Sequence, residues 1–196
     1  PEDMPRFSEK IYNEARRLIT LVEDIIKLSH LDEGKVELEK EDIDLYELTR
    51  EIISRLAPQA SAKKVHMELT GESVIYNGVR QILDEMVYNI CENAIKYNRE
   101  NGSVTVSAIK EKNKVILKVS DTGNGIDEAF REQIFDPFFR IDKSRSRELG
   151  GVGLGLAMVR EVVRVHDGTI EVYTNKHSGT TFEVKMGIGA DFEKAV

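Results

Sequence analysis

The stretch N-I-C-E-N-A-I-K-Y-N, Asn89 to Asn98, carries two patterns at once. Ile90, Ala94 and Ile95 continue an apolar stripe begun by Leu83, Met86 and Val87, which predicts a helix from Val79 to Tyr97 with that side buried. Asn89, Asn93 and Lys96 fall at i, i+4 and i+7 and share the opposite face. Asparagine is a poor residue inside a helix, so two of them one turn apart ask for a reason. A carboxamide oxygen is a hard, neutral ligand suited to Mg2+. Lys96 can meet a phosphate as a point charge, and Tyr97 can lie against an adenine or a sugar. Taken alone, these residues also fit a polar face left to water.

Two further clusters bear on that choice. D-T-G-N-G, Asp121 to Gly125, follows a strand on which Val115, Leu117 and Val119 point one way. Gly123 and Gly125 allow backbone approaches that a Cβ would block. A carboxylate held there can accept a hydrogen bond from the amino group of adenine, which guanine does not offer in that place; by composition alone the segment is also a plain turn. G-G-V-G-L-G-L-A, Gly150 to Ala157, runs into a helix expected from Leu154 to His166. Backbone N–H groups at such a helix start form an anion site. Neither the Walker pattern nor the dinucleotide fingerprint is present. The charged run before it, Asp142 to Glu148 with Lys143, Arg145 and Arg147, reads as a basic flap over phosphates or as a solvated loop. Metal ligand, adenine reader and phosphate cradle together make this the nucleotide-binding end of a kinase or ATPase.

Composition is consistent with that. The 196 residues suit one ordinary domain and an appendage, with 40% hydrophobic residues and a net charge of −7. A mean hydropathy of −0.36 describes a soluble globular chain. The acidic balance argues against a nucleic-acid partner. No apolar run approaches the roughly 20 residues of a membrane span, and no signal peptide opens the chain. The single cysteine, Cys91, excludes an internal disulfide and sits where a core cysteine is expected, which fits a reducing, cytoplasmic setting.

Elsewhere the pattern predicts a long amphipathic helix from Pro5 to Glu33, stopped by Gly34. Ile11, Ala15, Leu18, Val22, Ile25 and Ser29 mark one side, and Leu21 and Leu28 widen it. Such a helix needs a partner that is not found downstream; docking on its own domain is the alternative. Val36 to Leu38 reads as a short strand, and Asp44 with Glu47 as a capping box for a helix through Leu45, Leu48, Ile52 and Leu56. Strands follow at Val65–Leu69 and Ser73–Tyr76, a hairpin at Val104–Lys110 and Val115–Ser120, and strands at Thr169–Thr174 and Thr181–Lys185. The order implies an α+β fold, a two-layer sandwich with helices on one face of a mixed sheet.

These residues together resemble the catalytic, ATP-binding domain of sensor histidine kinases, in the superfamily of gyrase-type, chaperone-type and kinase ATPases. N-x-x-x-N-A-x-K-Y resembles the N box and D-x-G-x-G the adenine-binding G1 box. F-D-P-F-F-R, Phe135 to Arg140, resembles the F box, with Arg140 in place of the phosphate-contacting arginine. D-K-S-R-S-R and the glycine run resemble the lid and G2 box, and S-G-T-T-F, Ser178 to Phe182, the turn before the last strand. The resemblance implies Mg-ATP as cofactor, with Asn89 and Asn93 on the metal and Asn89, Lys96 and Arg140 serving catalysis. Tyr97, Asp121, Gly123, Gly125, Ile126 and Thr180 would surround adenine. Lys143, Arg145, Gly151, Gly153, Leu154, Gly155 and Leu156 would line the phosphates.

Asn13 to Gly34 resembles the second helix of the family's dimerisation and histidine-phosphotransfer hairpin. That implies a division at residues 1–34 and 35–196, a homodimer, a response-regulator receiver domain as partner, and the cytoplasmic part of a membrane-bound sensor. His30, His66, His166 and His177 all lack the acceptor context of His-Glu or His-Asp followed by Arg and Pro. The acceptor helix is therefore expected upstream of Pro1. A non-catalytic nucleotide-binding or dimerisation module of the same fold is the alternative function, and a protein serine kinase of the superfamily a third.

Overall fold

The computed structural model describes residues 4–32, 39–141, 152–175 and 179–188. Two antiparallel strands, β1 (Glu41–Asp44) and β3 (Ile75–Gly78), form a small ribbon. The main sheet has five strands in the order β2 (His66–Gly71), β4 (Ser103–Glu111), β5 (Lys114–Asp121), β7 (Thr180–Gly187), β6 (Thr169–Thr174). β2 and β4 run parallel and the other pairs antiparallel, so the sheet is mixed as expected. Helices α2 (Leu45–Ala62), α3 (Arg80–Lys96) and α4 (Gly155–Val165) pack against it, giving the two-layer α+β sandwich.

Local sequence explains each element. Asp44 accepts the backbone N–H of Tyr46 at 3.0 Å and of Glu47 at 3.3 Å, capping α2. On α3, the residues Ile82, Leu83, Met86, Val87, Ile90, Cys91, Ala94 and Ile95 are all buried. Each large side chain among them stabilises the fold by about 1.5–3 kcal/mol through burial. They meet Val104, Val106 and Ala108 of β4 and Val115, Leu117 and Val119 of β5, which alternate inward with period two. Lys112 takes a φ of 54° at the tip of the β4–β5 hairpin, where two residues must reverse the chain.

The ribbon departs from the sequence expectation. The strand expected at Val36–Leu38 lies outside the described residues, and β1 is formed by E-D-I-D, whose composition favours a turn. Ile43, 1% exposed, anchors it, and pairing with β3 supplies the rest. The long helix α1 (Met4–Asp32) also differs from a helix with nothing to pack on. Its C-terminal part packs against α4, Leu28 reaches the core, and Lys27 pairs with Glu85 of α3 at 2.9 Å. Ile11, Leu18, Val22 and Ile25 remain exposed, so only one of its apolar sides is covered here.

The sheet's other face carries a polar ladder. Glu183 of β7 pairs with Lys118 at 2.7 Å and with Lys185 at 2.9 Å, and accepts the Tyr173 hydroxyl at 3.0 Å. Those neighbours leave it 8% exposed. Burial raises the Glu183 carboxyl, but the hydrogen bonds from Lys118, Lys185 and Tyr173 outweigh it and hold the group at about 2. A depressed carboxyl contributes stability that is present above the unfolded value near 4.5 and lost as pH falls toward 2. Glu183→Gln should therefore lower stability at neutral pH and flatten its decline across that acid window, read by denaturant melts at stepped pH. An unchanged acid slope would show that the ladder contributes nothing to folding.

Candidate nucleotide site

Asp121 closes β5 at the edge of the core and is 6% exposed. Its Oδ1 accepts the backbone N–H of Gly123 at 2.7 Å and of Thr180 at 3.1 Å. Among the described residues Oδ2 accepts no hydrogen bond, so one oxygen is held and the other is free to read a donor. Burial pushes the carboxyl above its ordinary value, and the two N–H groups pull it part of the way back.

Glycine is required around this carboxylate for steric reasons. A Cβ on Gly123 would stand 2.5 Å from the Tyr97 carbonyl oxygen, so this close packing ties the loop to the end of α3. Gly179 has a φ of +100°, and a Cβ there would come within 2.1 Å of the Asp121 carbonyl oxygen. Gly125 has a φ of +74°, which L side chains rarely adopt. Thr180 thus serves through its backbone, and Ile126 through a carbonyl that takes the Thr174 hydroxyl at 3.1 Å.

Two asparagines without a role in the sequence pattern brace the backbone around Asp121. Asn175 donates to the Asp121 carbonyl oxygen at 2.9 Å, and its own oxygen receives the Thr181 hydroxyl at 2.5 Å. Asn98, 7% exposed, donates to Ala94 O at 3.1 Å and Ser103 O at 3.0 Å while accepting from Arg99 N and Thr122 Oγ1. In the sequence both residues stand in turns, where asparagine is common and carries no signal of burial.

On α3, Asn89, Asn93 and Lys96 are half-buried, and Tyr97, the C-cap, is exposed. A solvated polar face would be more open than that. The reason is α4, which packs against α3. A Cβ on Gly155 would meet Asn89 Oδ1 at 3.0 Å, so the first turn of α4 lies directly beside this amide. α4 starts without a side-chain cap or an acidic residue in its first turn, leaving its leading N–H groups to an outside acceptor. Gly153, at a φ of +87°, packs against Phe138 and Phe139 and passes its carbonyl to Phe138 N at 2.9 Å. Leu154 is buried, so only its backbone can face a ligand; Leu156 is half-buried beside it.

Arg140 is the least satisfied group of the site. Its Nε and Nη2 are buried and have no hydrogen-bond partner among the described residues. It stands close enough to Lys96 to lower that lysine's pKa, together with burial, the larger cause. Lys96 Nζ also lies 5.6 Å from the centre of the Tyr97 ring. Lys143, Arg145 and Gly151, expected over the phosphates, lie outside the described residues.

These groups fit Mg-ATP. An orphaned guanidinium and a partly buried lysine ask for an anion, and an uncapped helix start adds N–H donors. Asp121 offers an oxygen to an amine. No group of three or more His, Cys, Asp or Glu residues that could hold a metal occurs among the described residues. A cation here would rely on the Asn89 and Asn93 amides and on phosphate oxygens, which is the manner of magnesium.

The family comparisons meet this geometry. Residues 78–189 match the family described as histidine kinase-, DNA gyrase B- and HSP90-like ATPase, and the chain belongs to that family. Within it, the chain carries a histidine kinase-type ATPase domain, the kind found in two-component sensor kinases. The sensor-like histidine kinase SenX3 of Mycolicibacterium smegmatis is 32% identical over 95% of this chain and 49% of its own length. The chain therefore spans about half the length of that relative. The solved structure of the Acinetobacter baumannii histidine kinase AdeS is 25% identical, with a TM-score of 0.78, covering 93% of this chain and 84% of that one. The histidine kinase ThkA, solved in complex with the response regulator protein TrrA, is 26% identical with a TM-score of 0.76, covering 100% and 54%.

Proposed function

We propose that this chain binds Mg-ATP and presents the γ-phosphate to a histidine on the first helix of the phosphotransfer hairpin, for relay to a response-regulator aspartate. The Arg140 guanidinium, with two buried nitrogens unbonded among the described residues and a field felt at Lys96, carries the reading, because an anion would compensate both cations. Asn89 and Asn93 hold the metal, and Asp121 reads the adenine amine with Tyr97, Gly123, Gly125, Ile126 and Thr180 around the ring. Lys96, Arg140 and the backbone from Gly153 to Leu156 take the phosphates; Lys143, Arg145 and Gly151, outside the described residues, are assigned to the phosphates by the family resemblance alone. Bound magnesium supplies charge neutralisation, and the residues supply position. Residues 1–34 are the second hairpin helix and 35–196 the catalytic domain, joined as a homodimer through the open side of α1. The ThkA complex supports a receiver domain as partner.

No helix among the described residues is long and apolar enough to cross a membrane; a cytoplasmic place within a membrane-bound sensor rests on the family resemblance alone. The test uses labelled Mg-ATP. The chain should bind nucleotide yet gain no acid-labile phosphate; adding the complete hairpin of the same protein should place the label there. His166 cannot be the acceptor as folded: it is 4% exposed, with Nε2 receiving Val79 N at 3.2 Å and Nδ1 2.8 Å from Val162 O. Asn93→Ala should abolish the transfer while leaving the melting temperature without nucleotide unchanged. Phosphohistidine forming on this chain alone would sink the assignment of the acceptor to another helix.

A further inference from the structure

We propose that Lys63 is a positioning residue for Lys96, acting through the carbonyl end of α3. The last four carbonyls of a helix have no partner within it, and the last turn frays when nothing holds them. Lys96 is the final residue of α3 and Tyr97 its cap, so the groups assigned to phosphate and adenine stand on the least secure turn. Lys63, the C-cap of α2, reaches across 32 residues of sequence and donates to Ile95 O at 3.0 Å and also to Lys96 O. Its charge lies at the negative end of the α3 dipole, where a cation is favoured.

The surroundings make the clamp directional. Lys64, at a φ of 56°, turns the chain out of α2 and pairs with Glu100 at 2.6 Å, and His66 N donates to Gly102 O at 2.9 Å. The α2–β2 turn is thereby fastened to the α3–β4 turn immediately after Lys63. On the opposite side, Gly123 packs against the Tyr97 carbonyl, so the end of α3 is held between Lys63 and the adenine loop. Lys63 also adds to the field at Lys96, where burial and the cations Arg140 and Lys63 lower its proton affinity against Glu92. These three cations gather at the end of one helix. Asp121, which reads the adenine amine, does not touch Lys63, so the loss should fall mainly on the phosphates and only slightly on the base.

The proposal rests on the Mg-ATP reading of the site, and calorimetry with Mg-ATP and with adenosine separates the two. Lys63→Gln and Lys63→Met should each weaken Mg-ATP about ten-fold, the scale of a lost charge-assisted bond, and leave adenosine within roughly two-fold. Lys63→Arg should recover most of the loss, because it restores both charge and donors. Gln keeps a donor and guards against a Met variant that fails to fold. Equal losses for Mg-ATP and adenosine, or no loss for Mg-ATP, would overturn the role. A parent chain that does not bind Mg-ATP at all would remove the nucleotide reading, and this proposal with it.

Discussion

Asp121→Asn should weaken ATP binding by about 1–3 kcal/mol, roughly five- to 150-fold, while leaving the fold intact. The expectation follows from how the two oxygens are used. Oδ1 receives Gly123 N and Thr180 N, and an asparagine can keep its carbonyl oxygen in that place. Its amide NH2 then falls where Oδ2 was and points a donor at the adenine amine. An acceptor has become a donor, with almost no change in shape. Stability without nucleotide should rise slightly at neutral pH. Because burial raises the Asp121 carboxyl, the folded state loses stability as pH rises through the unfolded value of 3.8, and the amide removes that loss. GTP should bind the parent far more weakly than ATP. Calorimetry showing equal affinity for ATP and GTP would take Asp121 out of base recognition.

Arg140→Met should produce opposite effects on stability and on activity. Removing a guanidinium whose Nε and Nη2 are buried without hydrogen bonds among the described residues should stabilise the nucleotide-free protein by about 1–3 kcal/mol. At roughly 2–4 °C per kcal/mol for a chain of this size, that is a rise of several degrees in melting temperature. Phosphoryl transfer should fall by about 10²–10³-fold, the effect of removing one preorganised donor to developing charge. Adenosine, which has no phosphate, should bind as before. Such a pattern marks a group kept for its ligand at the expense of the empty fold. A variant with unchanged melting and unchanged transfer would make Arg140 an ordinary surface arginine.

The contrast between α3 and the ribbon shows where sequence reading succeeds. α3 combines a strong 3.6-residue stripe with a length sufficient to average out exceptions, so its limits and its buried side were legible almost residue by residue. β1 has four residues and only Ile43 fully buried, and its acidic composition points to a turn. Its existence depends on β3, a pairing across about thirty residues that no local pattern encodes. The helix α1 lies between these cases. Its amphipathic character was plain, but not that its C-terminal part would dock on α4 and send Lys27 to Glu85.

The candidate site divides the same way. The chain's own order of residues determined the chemical inventory: amides spaced on one helix face, a carboxylate before two glycines, and glycines before a helix start. These are local patterns, because helical spacing and backbone freedom act between near neighbours. It was also enough to mark the fold class, since alternating strands and amphipathic helices admit few layer arrangements. Only the tertiary structure decided which oxygen of Asp121 is held, through Thr180 N from a strand 59 residues away. It alone set Gly155 beside Asn89, left Arg140 Nε and Nη2 without a hydrogen bond among the described residues, and brought Lys63 to the end of α3. Satisfaction of a buried polar group depends on every atom packed around it, and those atoms come from segments that meet only when the sheet has closed.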